Sequence, residues 1–202
     1  MMKLVIFDLD DTLIHLDVDW AKVKEDVLRL AQAEGIAVDP AQHLIILSGI
    51  VSQNPKLKTK VDEIYRRHEA GCVVKKSYTV YREMIALVRE LKNRRVLLGM
   101  ASGNHTRNIL EILKQLGMEK HFDVICGRDR TVRNKPDPEQ LLMIMKKTRI
   151  SKRFTIFVGD SRFDELAAKA AGVMFFRVEK GGTKDTTPLR ELIGLGSDPV
   201  GQ

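Results

Sequence analysis

Five short apolar, β-branched-rich runs alternate along this chain with segments of helical spacing, and that alternation constrains the fold more than any other feature. The runs are Val5 to Phe7 within "VIFDLDDTL", Val96 to Ala101, Phe122 to Cys126, Phe154 to Val158 and Val173 to Val178. Each is short, continuous and apolar, the pattern of a strand buried on both faces. Between the runs, the spacing predicts helices at about Thr79 to Asn93, Asn104 to Leu116, Pro138 to Thr148 and Arg162 to Ala171, with Gly117 and Gly172 placed as helix stops. Strand and helix in alternation imply an α/β fold, a Rossmann-like parallel sheet flanked by helices.

The stretch from about Leu16 to Lys76 interrupts the rhythm. It offers helical patterns at Trp20 to Glu34, Ala41 to Ser52 and Leu57 to Glu69, punctuated by Pro40 and Pro55, and no convincing strand. We read residues 16–76 as a helical module inserted after the first strand and lying over the sheet as a cap, with 1–15 and 77–202 forming the α/β core. The crossings near His15 to Asp17 and Lys76 to Thr79 are the expected hinges. The tail from Gly181 to Gln202 is expected to hold little beyond a turn near Pro188 to Ile193.

Ligands of an open parallel sheet bind beyond the carboxyl ends of its strands, so the segment after each strand is where chemistry is sought. After the first run come Asp8, Asp10 and Thr12; after the second, Ser102, Gly103 and Asn104; after the third, a loop containing Lys135; after the fourth, Asp160 and Asp164. Four carboxylates gathered at one edge repel one another unless a cation intervenes. The donors are hard oxygens with no His or Cys among them, which suits Mg²⁺.

Spacing adds roles. Asp8 and Asp10, two apart on an extended strand, are expected to face the same side, so one can attack while the other moves protons. Asp160 and Asp164, four apart at a helix start, are expected to share a face and address one ion. Ser102 to Asn104 opens a helix, where a hydroxyl and backbone N–H groups suit a phosphate oxygen. Asp11 is read as a loop carboxylate turned away from its neighbours, and His15 as a structural or solvated hinge residue.

In this arrangement the chain resembles the haloacid dehalogenase superfamily, in its phosphoglycolate phosphatase-like branch with a helical cap. "DLDDTL", "ASGN", the Lys of "KPDPE" and "GDSRFD" resemble the four motifs of that family, in its order. The resemblance implies a phosphoric monoester hydrolase in which Asp8 is the nucleophile forming an aspartyl-phosphate and Asp10 is the general acid and base. It further implies Mg²⁺ held by the Asp8 carboxylate, the Asp10 backbone carbonyl and Asp160 with Asp164 in support, and a phosphoryl group bound by Ser102 and Lys135.

The same residues leave alternatives. A phosphomutase shares the motifs, and a dehalogenase of the same superfamily also uses an Asp nucleophile, although Asp10 argues against it. A non-catalytic phospho-accepting domain has an acidic cluster and a Lys-Pro pair, but in another strand order. The net charge of +7 admits a nucleic-acid-binding protein. No basic tail or aromatic-interleaved motif supports that reading, and Lys56, Lys58, Lys60, Arg66 and Arg67 are read as solvated helix charge. Cys72 and Cys126 stand alone, which fits a reducing compartment, and the apolar run Leu44 to Val51 is too short to span a bilayer. The expectation is a cytoplasmic monomer or homodimer acting on a small phosphorylated metabolite.

Overall fold

The computed structural model describes residues 1–179 and 185–195. In chain order these form β1 (Leu4–Phe7), β2 (Ile14–Leu16), α1 (Trp20–Ala33), α2 (Leu44–Val51), α3 (Pro55–Lys75), β3 (Tyr78–Val80), α4 (Arg82–Asn93) and β4 (Leu97–Ala101). There follow α5 (Thr106–Gln115), β5 (Val124–Cys126), α6 (Glu139–Thr148), β6 (Thr155–Gly159), α7 (Arg162–Ala171), β7 (Met174–Arg177) and α8 (Thr187–Ile193).

Five strands pair in the order β5-β4-β1-β6-β7, every pairing parallel, with Leu4 opposite Leu97 on one side and Thr155 on the other. The chain starts in the centre of the sheet, adds strands to one side through β4 and β5, then crosses to the other for β6 and β7. The direction of winding therefore reverses beside β1. A crevice forms at such a switch point, at the carboxyl ends of the strands, and here it opens just past Phe7.

All four residues of β1 are fully buried, as a central strand covered on both faces requires. One core gathers Leu4, Ile6 and Phe157 from the sheet against Leu141 and Ile144 of α6 and Ala167 and Ala168 of α7. The small α7 residues and Gly99 of β4 let helix and sheet approach closely; a Cβ on Gly99 would lie 2.6 Å from Ile144 Cγ2. Phe7 meets Phe122 edge-on, with ring centroids 6.5 Å apart.

The chain divides into two compact units: Met1–Leu16 with the residues from Tyr78 onward, and Asp17–Ser77. The second is three helices around Val27, Ala31, Leu47, Val51, Leu57 and Val61. Asp19 caps α1 by accepting from the Lys22 N–H, and Asn54 with Pro55 starts α3. Much of its basic charge is paired on the surface: Lys60 with Glu34, Arg66 with Glu63, and Arg67 with Asp26.

Three expectations change. The two crossings read as hinges contain an antiparallel ladder, Ile14 to Val80, His15 to Thr79 and Leu16 to Tyr78. Three-residue strands are too short to display alternation, so the sequence hid them and α4 starts at Arg82 rather than Thr79. The tail turn is a true helix, α8, which buries Leu189 and Ile193 and pairs Arg190 with Glu90 of α4 at 2.6 and 3.0 Å. The rest of the predicted tail, residues 180–184 and 196–202, lies outside the described residues.

Candidate active site

Asp8 is the first residue past β1, and its backbone N–H still donates to the Val158 carbonyl of β6 at 2.9 Å. Sheet pairing thus fixes its Cα, and its side chain is buried at the crevice. Lys135 reaches it from the loop before α6, 127 residues away, and its Nζ donates to Asp8 Oδ1 at 2.9 Å and to Asp164 Oδ1 at 2.5 Å.

Asp164 is wholly buried. It closes a reciprocal cap at the start of α7: its N–H donates to Ser161 Oγ at 3.1 Å, while its Oδ2 accepts from the Ser161 N–H at 3.0 Å. A Cβ on Gly159 would lie 2.8 Å from the Asp164 Cβ and Cγ, so glycine leaves the room in which this carboxylate sits. Asp160 lies before the helix, whose first residue is Arg162, and its carbonyl accepts from Arg177 at 2.6 Å. The expected shared helix face is therefore wrong. The two carboxylates converge because the strand end turns into the cap, not because of helical periodicity.

Carboxylate oxygens of Asp8, Asp160 and Asp164 all lie within 4.8 Å of one another. Burial pushes the Asp8 carboxyl up to about 8 although Lys135 pulls it down, with Asp164 and Asp160 adding repulsion. Burial and then Asp164 and Asp11 push Asp160 up to about 6. Burial also works against the Lys135 charge, but Asp164 and Asp8 outweigh it and hold the ammonium well above the usual lysine range. If all three carboxylates are ionised, the one ammonium leaves two negative charges uncompensated, which is why burial and repulsion favour the protonated forms of Asp8 and Asp160 in the absence of a cation. An all-oxygen trio with that deficit fits a hard divalent cation.

Asp10 takes a different place. The strand ends at Phe7, so alternation no longer governs the two positions, and the chain turns on Leu9, whose carbonyl accepts from the N–H groups of Thr12, Leu13 and Ile14. The Asp10 Oδ1 accepts from the Leu16 N–H at 2.7 Å, and its carboxylate is not part of the trio. Burial pushes it up to about 7 against that hydrogen bond, with Asp11 repelling and Asp160 contributing, so it sits at the same edge. A carboxyl that exchanges its proton near neutrality suits acid and base work.

Asp11 is a loop carboxylate, as expected, but it is not turned away from its neighbours. In a left-handed conformation at φ 54°, it groups with Asp10 and His15, accepting from Tyr81 Oη at 3.3 Å and lying 2.8 Å from His15 Nδ1. A positive φ swings a side chain out of strand alternation, which no local pattern announces.

Across β1, the loop after β4 holds Ser102 and Asn104, both buried, with the Asn104 N–H donating to Ser102 Oγ at 3.1 Å. Arg128 donates to the Gly103 carbonyl at 2.7 Å. The following helix is capped by His105 rather than by this loop, and begins at Thr106. Two residues that sequence reasoning passed over fix its surroundings. Asp129 accepts from the Thr106 N–H at 2.7 Å and Oγ1 at 2.6 Å. Gln140 donates from Nε2 to the carbonyls of Ser102 at 2.9 Å and Cys126 at 3.2 Å. The sole signal for Gln140 was an amide beside the apolar positions Leu141, Ile144 and Met145 of its helix.

The profile of the haloacid dehalogenase-like hydrolases matches residues 5–178, from the strand that delivers Asp8 to the one beyond Asp164. The chain belongs to that family. The hydrolase is 29% identical over 182 residues to a phosphoglycolate phosphatase of Pseudomonas fluorescens (strain Pf0-1), covering 85% of this chain and 67% of the relative. It is 27% identical over 186 residues to a phosphorylated carbohydrates phosphatase of Thermotoga maritima, covering 85% and 82%. Among solved structures it is similar to a superfamily hydrolase, subfamily IA, variant 1, from Geobacter sulfurreducens, with a TM-score of 0.61, 22% identity, and coverage of 96% and 97%. The enzyme is a phosphoric monoester hydrolase, and among its described residues no helix is long and apolar enough to cross a membrane.

Proposed function

We propose that the hydrolase is a Mg²⁺-dependent phosphatase of small phosphorylated metabolites, of phosphoglycolate type, working through an aspartyl-phosphate on Asp8. The observation that carries the reading is the meeting of Asp8, Asp160 and Asp164 with the Lys135 ammonium at the switch point of the sheet. Phosphoryl transfer asks mainly for positioning and charge neutralisation, and this constellation is built for both. The names of the two phosphatase relatives support the substrate class.

In this reading a carboxylate oxygen of Asp8 attacks phosphorus and the P–O bond to the leaving group breaks, the departing oxygen taking a proton from Asp10. Asp10, now ionised, takes a proton from a water whose oxygen attacks the same phosphorus. The Asp8 P–O bond then breaks, releasing inorganic phosphate and restoring both side chains. Lys135 and the Ser102–Asn104 loop hold the phosphoryl oxygens. Mg²⁺ would be held by Asp8, Asp160, the Asp10 backbone carbonyl and, in support, Asp164, supplying positive charge to the transferring group. We place the enzyme in the cytoplasm, where the thiols of Cys72 and Cys126, which form no disulfide, stay reduced.

The test is hydrolysis of an aryl phosphate with and without Mg²⁺, on the wild type and on Asp8→Asn. Metal-dependent turnover that the substitution abolishes supports the mechanism. Turnover surviving in Asp8→Asn refutes it.

A further inference from the structure

Gln140 is fully buried in the first turn of α6, and its side chain touches no reacting group. Its Nε2 lies 2.9 Å from the Ser102 carbonyl and 3.2 Å from the Cys126 carbonyl, which end two neighbouring strands. Two carbonyl oxygens at these distances demand the nitrogen end of the amide, because the oxygen end would meet them with like partial charge. The orientation is chosen for those carbonyls alone, since Gln140 Oε1 is buried without a partner among the described residues.

The Cys126 carbonyl also accepts from the Ser102 N–H at 3.1 Å, so it would stay paired without Gln140. The Ser102 carbonyl would not: among the described residues, Gln140 is its one donor. An unpaired buried carbonyl rotates toward any other donor, and turning that peptide moves Gly103 and the side chain of Ser102. The neighbouring Glu139 braces the other side, its carboxylate accepting from the N–H groups of Val132 at 3.0 Å and Arg133 at 2.9 Å in the loop that carries Lys135.

We infer that Gln140 is a positioning residue for phosphate recognition, locking the Ser102–Asn104 loop through the Ser102 carbonyl. The inference rests on the proposed phosphatase reading, and it separates two jobs of the site. Metal holding belongs to Asp8, Asp160 and Asp164, which Gln140 does not touch; phosphate holding depends on the loop it braces.

The test compares wild type, Gln140→Met, Ser102→Ala and the double variant, measuring kcat and KM for an aryl phosphate, inhibition by inorganic phosphate, and half-maximal Mg²⁺. Gln140→Met keeps length and volume but loses the donor. The expected result is a rise of ~10-fold in KM and in the phosphate inhibition constant, the scale of a lost hydrogen bond acting through one group, with half-maximal Mg²⁺ unchanged. In the Ser102→Ala background the same substitution should have little further effect, whereas a general loss of packing would add. Gln140→Asn, which keeps the buried amide and shortens its reach, serves as the second variant if Gln140→Met does not fold, with the same expectations. Phosphate constants equal to wild type in a folded variant, or an undiminished effect in the Ser102→Ala background, overturn the inference. If wild type is active and Asp8→Asn is dead while Gln140→Met behaves as wild type, this inference alone fails. A wild type inert toward the aryl phosphate with Mg²⁺ counts against the proposed Mg²⁺-dependent aspartyl-phosphate reading, and not against this inference alone.

Discussion

Replacing Lys135 by Met leaves its site nearly filled but removes the one ammonium that faces Asp8 and Asp164. The Lys135 side chain is 10% exposed and its partners are 8% and 0% exposed, so water cannot take over its role. Removing one partner from a buried ion pair costs about 3–5 kcal/mol, or roughly 6–20 °C in Tm for a chain of this size. The deficit depends on pH in a definite direction. The folded pKa of Asp8 is raised to about 8, so its contribution to stability is fully present below the ordinary carboxylate value and is lost as pH rises through about 8. Lys135 opposes that rise, and without it Asp8 moves higher still. The variant should therefore fall furthest behind the wild type at pH 8 in EDTA, and the gap should narrow toward pH 5 as Asp8 and Asp160 take up protons. Added Mg²⁺ should restore part of the loss at pH 8 by binding the folded form. Thermal unfolding at four pH values, with EDTA and with Mg²⁺, reads all of this. A gap that is absent, or equal at pH 5 and pH 8, would refute the electrostatic account of the trio.

Gly159→Ala should destabilise by about 1–3 kcal/mol, the usual cost of overpacking, because the new methyl meets Asp164 where the Ser161 cap and Lys135 hold it. Half-maximal Mg²⁺ should rise in the same variant, and an unchanged value measured by activity titration would contradict the placement of Asp164. Asp10→Asn retains an acceptor for the Leu16 N–H and should unfold near the wild-type temperature, while kcat falls by about 10²–10⁴-fold; near-normal kcat would remove Asp10 from proton transfer. Gly71→Ala, inside α3 with open space where its Cβ would stand, should stabilise the protein by about 0.5–1 kcal/mol, which urea denaturation would detect as a higher midpoint.

Much of the core was legible because its signals are local. Buried strands such as Thr155–Gly159 betray themselves as apolar runs, and the helix Arg162–Ala171 carries its own cap in Ser161 and stop in Gly172. The carboxylates of the candidate site were legible for a related reason: charges abutting a buried strand are costly unless something compensates them. Local rules failed where the backbone left regular structure. Alternation placed Asp8 and Asp10 side by side, but the strand stops at Phe7 and the Leu9 turn sends the Asp10 carboxylate to the Leu16 N–H. Helical spacing was applied to Asp160, which precedes its helix. The ladder of Ile14–Leu16 with Tyr78–Val80 joins segments some sixty residues apart, and each strand is too short to show a period.

The sequence by itself determined the parallel α/β class, the order of the motifs and the kinds of side chain at the site, since these follow from periodicity and composition within a few residues. Only the tertiary structure decided which groups meet: Lys135 with Asp8 across 127 residues, Asp11 with Tyr81, and Gln140 with the Ser102 carbonyl. Those pairings arise because packing the sheet strips water from polar groups that were far apart in the chain, and each must then find its partner among whatever the fold has brought within reach.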